Sequence, residues 1–146
     1  MYFEDFAVGQ RFELKPVTID KQDMLCFAQK YDPLPLHLDE DYAKAGTFRG
    51  LIAPGVMSFM SVWAEFARLD VFGDALVAGS RTEIRWFAPV YAGDTLYGEA
   101  VVTKLAPGGK TGLVEVTIQA KNQHGKLVLS DVTDVMVRAN KSAITP

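Results

Sequence analysis

The chain has 146 residues, a formal net charge of −3 and a hydrophobic share of 49%, with 9 Phe, 5 Tyr and 2 Trp. That is the length of one ordinary domain with ample material for a core, which excludes a disordered chain. The mild acidity excludes a general electrostatic affinity for nucleic acid or an anionic membrane.

No stretch approaches the ~18 uninterrupted apolar residues of a membrane span. The first residues lack the basic and apolar regions of a signal peptide. A single cysteine and two distant histidines give no metal-ligand spacing, so no metal is expected. Cys26 has no partner for an internal disulfide. Its apolar neighbours place it as a small buried hydrophobe, and a reducing, cytoplasmic setting follows. No repeat or linker divides the chain, so residues 1–146 read as one domain.

In chain order, a strand is expected near 11–19. A helix follows, with Asp20 as its N-cap and Met24, Phe27, Ala28 and Tyr31 at helical spacing. Pro33 and Pro35 each bias the residue before them away from the helical region, so this helix ends near Tyr31. A short helix at 40–45 is capped by Asp39 and stopped by Gly46. The segment 54–69 is apolar on nearly every side, which predicts a helix buried almost all round. Its polar residues, Ser58, Ser61, Glu65 and Arg68, fall on one narrow stripe at ~100° per residue. A polar groove or a strip of solvent must lie against them.

Beyond Gly73 the period changes to two. Thr82, Ile84 and Trp86 alternate with Arg81, Glu83 and Arg85. Further strands are expected over 94–105, 111–122 and 126–138, with turns at Pro107-Gly108-Gly109 and His124-Gly125. One long apolar helix ahead of a run of antiparallel strands gives an α+β domain whose curved sheet covers the helix.

The chemistry concentrates in Tyr31-Asp32-Pro33-Leu34-Pro35-Leu36-His37. A carboxylate and an imidazole lie five residues apart on a loop that two prolines stiffen. They can be held in one arrangement at low entropic cost. Asp and His together can move the protons of a water-addition reaction. Taken alone, this loop favours a plainer reading: Asp32 as a helix-terminating turn residue and His37 as a surface or capping histidine.

Asp32-x-x-Pro35-x-His37, followed by Asp39 and Ala43, resembles the signature of the MaoC-like, (R)-specific enoyl-CoA hydratases. Gly55, eighteen residues after His37, stands where those enzymes place a glycine at the start of their long helix. Phe87-x-Pro89-Val90-x-x-Gly93-Asp94-Thr95-Leu96 and the Asn122-Gln123-x-Gly125 turn are also similar to that family, so the resemblance spans nearly the whole chain.

The resemblance implies a hot-dog fold and a homodimer with active sites at or near the subunit interface. It implies a substrate that is a thioester of coenzyme A or of acyl carrier protein, with no cofactor. By the same resemblance, Asp32 and His37 bind and activate the water that attacks C3 of a 2-enoyl thioester. The Gly55 N–H would meet charge developing on the thioester oxygen. One position departs from the pattern: Leu34 stands where the family carries an amide, and the acyl substrate stays open.

Ser58 and Ser61 are candidates for binding the acyl or pantetheine portion, or are small hydroxyls of a packed helix. Two rival readings remain. One is a hot-dog thioesterase with Glu65 or Asp32 as base; the other is a catalytically weak acyl-thioester-binding subunit. His124 is expected to be an exposed turn residue. Arg81, Arg85, Lys104 and Lys110 are candidates for meeting phosphates, with a solvated face as the default.

Overall fold

The structure is a computed structural model and describes residues 1–140. Four α-helices precede most of a six-stranded sheet. The helices are α1 (Lys21–Tyr31), α2 (Pro35–Leu38), α3 (Glu40–Ala45) and α4 (Gly55–Arg68). The strands are β1 (Arg11–Glu13), β2 (Val17–Thr18), β3 (Leu76–Trp86), β4 (Thr95–Pro107), β5 (Thr111–Lys121) and β6 (Leu127–Arg138). The sheet order is β1-β4-β5-β6-β3, all neighbours are antiparallel, and β2 pairs with β4.

The long strands alternate as their period requires. Along β6, Leu129, Asp131, Thr133, Val135 and Val137 are all buried. Opposite them on β5 stand Ala120, Ile118, Val116, Val114 and Gly112. This face closes on α4, whose Phe59, Val62 and Phe66 are at most 5% exposed. Gly98 of β4 sits where the helix comes closest. A β-carbon there would lie 2.6 Å from Val62 Cγ1, so only a glycine admits the helix at this distance.

Several expectations change. The strand foreseen over 11–19 is two short pieces, because Pro16 has no N–H to donate and Leu14 turns into the core. The strand foreseen around Thr82–Trp86 begins earlier, at Leu76. Helix α1 does end at Tyr31, and Asp20 caps it by accepting from the Asp23 N–H at 3.0 Å. Its buried residues, however, are Met24 and Ala28, and Tyr31 is exposed.

Cys26 is also exposed, against expectation. It lies about 200° around the helix from both Met24 and Ala28, on the opposite side, where Gln22 Nε2 reaches its sulfur at 3.7 Å. Finally, α4 is not covered on every side by its own chain. Val56 and Met60 on its outer face are 47% and 46% exposed.

Candidate active site

Asp32 and His37 are positioned by different devices. Asp32 is the C-cap of α1, its N–H bonded to the Ala28 carbonyl at 2.9 Å. The segment after it was foreseen as a loop but winds into α2, because Pro35 occupies the first helical turn, where a missing N–H costs nothing. That single turn swings His37 inward, where it is 5% exposed.

Ile52 then clamps the residue. Its N–H donates to the Leu36 carbonyl at 3.4 Å, and its carbonyl accepts from His37 Nδ1 at 2.7 Å. A carbonyl can only accept, so Nδ1 carries a proton. Nε2 therefore faces the Asp32 carboxylate, with Oδ2 at 3.2 Å. Asp32 is the more open of the two, its side chain 39% exposed, so the pair has a dry end and a wet end.

The pair opens onto a cleft of about 530 Å³ whose walls include Gly55, Ser58, Trp86, Phe87 and Val90. Gly55 is the first residue of α4, and the N-cap before it, Pro54, offers no side-chain acceptor. The first amides of a helix lack intrahelical partners and carry its positive end, so this edge of the cleft favours a developing negative charge. Gly55 is required by its neighbour: a β-carbon here would lie 2.5 Å from Trp86 Cε2. Ser58 lines the same wall at 1% exposure, and its hydroxyl has no partner among the described residues.

The other candidates lie elsewhere. Ser61 donates to the Met57 carbonyl at 2.9 Å and does not line the cleft. Glu65 is ion-paired with Arg68, ten residues along α4 from Gly55, which is about 15 Å of helix. Leu34 is 47% exposed and does not line the cleft. Arg81 is held on the outer sheet face by Asp134 at 2.8 Å and Glu115 at 3.1 Å. Arg85 pairs with Glu83 at 3.3 Å, and His124 is exposed in its turn. Among the described residues no cluster suited to a metal ion occurs, and no helix is long and apolar enough to cross a membrane.

A residue missed from sequence is Trp86. It read as one more apolar position of an alternating strand, and no local signal marked its approach to Gly55.

Fold and cleft together define a hot-dog domain that presents an Asp–His pair beside a helix N-terminus. Comparison with known proteins agrees: the model of the MaoC like domain matches residues 5–124. The chain belongs to the MaoC-like family. It is 35% identical over 140 residues to an (R)-specific enoyl-CoA hydratase of Rhodospirillum rubrum, covering 94% of this chain and 92% of that protein. A monoamine oxidase regulatory protein of Archaeoglobus superposes with a TM-score of 0.91 at 28% identity, covering 96% of this chain and 95% of the other. A Mycobacterium tuberculosis protein with a double hotdog fold superposes with a TM-score of 0.79 at 24% identity. That match covers all of this chain and 46% of the other, and it speaks to the fold alone.

Proposed function

We propose that this protein adds water across the double bond of a 2-enoyl thioester, or removes it from the (R)-3-hydroxyacyl product. The observation that carries the reading is the Asp32–His37 pair, 3.2 Å apart at the mouth of a cleft that also holds the Gly55 end of α4. Membership in a family that includes enoyl-CoA hydratases supports it.

In the forward direction a water on the cleft side of the pair hydrogen-bonds both Asp32 and His37 Nε2. One of the two takes a proton from the water as its oxygen bonds to C3. That proton, passed through the pair, is delivered to C2, so that H and OH add and both groups return to their starting states. The intermediate charge falls on the thioester oxygen, where the Gly55 N–H stabilises it. Ser58, dry and without a partner, hydrogen-bonds the acyl portion or the water. The substrate is an acyl thioester of coenzyme A or of acyl carrier protein. The protein acts in the cytoplasm as a homodimer, a state favoured by the free edge of β3 and the bare outer face of α4.

Incubation with crotonyl-CoA tests the reaction when loss of the enoyl absorbance and release of thiol are followed together. Absorbance loss without thiol is expected. Thiol release would favour a thioesterase with Asp32 as base, since Glu65 lies away from the cleft. Asp32→Asn and His37→Ala are each expected to lower turnover by about 10²–10⁴-fold. Near-normal rates in either folded variant would sink the mechanism.

A further inference from the structure

We propose that the indole N–H of Trp86 is a second donor to the thioester oxygen, acting beside the Gly55 N–H. This rests on the hydratase reading above and adds a catalytic residue to it.

Trp86 is the last residue of β3 and stands opposite Leu129 in the sheet register, on the face that closes over α4. Its ring reaches the first residue of that helix. A β-carbon on Gly55 would lie 2.6 Å from Trp86 Nε1 and 2.5 Å from Cε2. Adding one carbon–carbon bond puts Nε1 within about 4 Å of the Gly55 Cα, and one more backbone bond puts it within about 5.6 Å of the Gly55 nitrogen. Two N–H groups that each meet one oxygen at ~2.9 Å must lie within about 5.8 Å of each other. The Gly55 and Trp86 donors satisfy that condition.

Both residues line the cleft that holds Asp32 and His37. The indole nitrogen can only donate. Trp86 has no acceptor for it among the hydrogen bonds of the described residues, and it is 48% exposed, on the cleft side of the helix start. A ring needed only as a wall would serve equally well as phenylalanine. The unspent N–H beside an uncapped helix amide points instead to an acceptor that arrives with the substrate. An enoyl thioester provides one: its carbonyl oxygen gains negative charge as C3 is attacked. Two donors fix that oxygen and so fix C3 relative to Asp32 and His37.

The test is Trp86→Phe, which keeps an aromatic ring against Gly55 and removes the N–H. Folding is checked by circular dichroism and thermal melting. With crotonyl-CoA the variant is expected to lose about 10²-fold in kcat with KM changed only slightly.

A second readout does not depend on turnover. A slowly reacting conjugated thioester, dimethylaminocinnamoyl-CoA, absorbs at longer wavelength when its carbonyl is polarised. Bound wild-type protein is expected to shift it to the red, and Trp86→Phe to shift it less at equal occupancy. Wild-type kcat in the variant would overturn the proposal and leave the hydratase reading standing. So would a lower kcat with an undiminished spectral shift, which would make Trp86 a wall of the cleft. A wild-type protein that neither hydrates enoyl thioesters nor shifts the probe would overturn both.

Discussion

His37 owes its orientation to a backbone carbonyl fifteen residues away, since Ile52 holds Nδ1 and leaves Nε2 to the carboxylate. The two residues proposed to carry the chemistry were legible through the family resemblance of their motif, since the loop braced by Pro33 and Pro35 favours a plain turn when taken alone. The rest of the site was not. The fit of Gly55 to Trp86 joins positions 31 residues apart, and neither glycine nor tryptophan announces its partner. The burial of Ser58, as against the satisfied hydroxyl of Ser61, depends on which side of α4 meets the cleft. Gly55→Ala tests the close fit at this scale. The added methyl must displace the Trp86 ring, so the variant is expected to lose about 1–3 kcal/mol of stability in urea unfolding. Pairing it with Trp86→Leu is expected to recover much of that loss. If the double variant is as unstable as the sum of the singles, the two residues are not in contact.

Along an element, the pattern revealed which segments are strands and less about which face each residue takes. Strand β6 places apolar and polar residues on both faces, so nothing local marked Asp131 as an inward residue. It is 0% exposed; Thr133 Oγ1 donates to its Oδ2 at 2.6 Å, and Oδ1 has no partner among the described residues. Because the Thr133 proton is spent on Asp131, Thr82 must donate the 2.6 Å bond between the two threonines.

Burial pushes the Asp131 carboxyl above its ordinary range, against smaller opposing effects from Thr133 and Arg81. The folded protein thus holds this proton to a higher pH than the unfolded chain does. The contribution of Asp131 to stability therefore falls as pH rises through the carboxylate range, and the full penalty stands above the folded-state pKa. Asp131→Asn keeps an acceptor for Thr133 and removes the ionisation. It is expected to be more stable than wild type at pH 7 by about 1 kcal/mol, an advantage that shrinks toward acid pH. Urea midpoints at both pH values check this. A midpoint at pH 7 no higher than wild type would show that Asp131 is satisfied as an anion.

For the whole molecule, the α+β plan was legible because period-two strands and one helix that is apolar on nearly every side can be buried together in few ways. The sequence pattern overstated what one chain can do: α4 is apolar on nearly every side, yet its own sheet covers one side and leaves Val56 and Met60 bare. The sheet shows the same shortfall. One of its edges is β1, three residues long, but the other is β3, eleven residues whose far side is unpaired among the described residues and whose Leu76 and Val77 are exposed. A long unpaired edge is a template for another strand, and the charges that blunt such edges, here Arg81, Glu83 and Arg85, leave the 76–80 half of β3 without one. A second copy pairing at β3 would close that edge and lie next to Trp86, at the end of the same strand that walls the cleft. Light scattering is expected to give about 32 kDa, twice the 16.1 kDa of one chain. Val77→Lys, which puts a charge on the pairing edge, is expected to shift the population toward monomer. If the dimer supports the cleft, that variant should lose specific activity with dilution at concentrations where wild type does not. A wild-type mass of one chain at micromolar concentration would exclude the dimer, and full activity in a monomeric Val77→Lys would show that each cleft works alone.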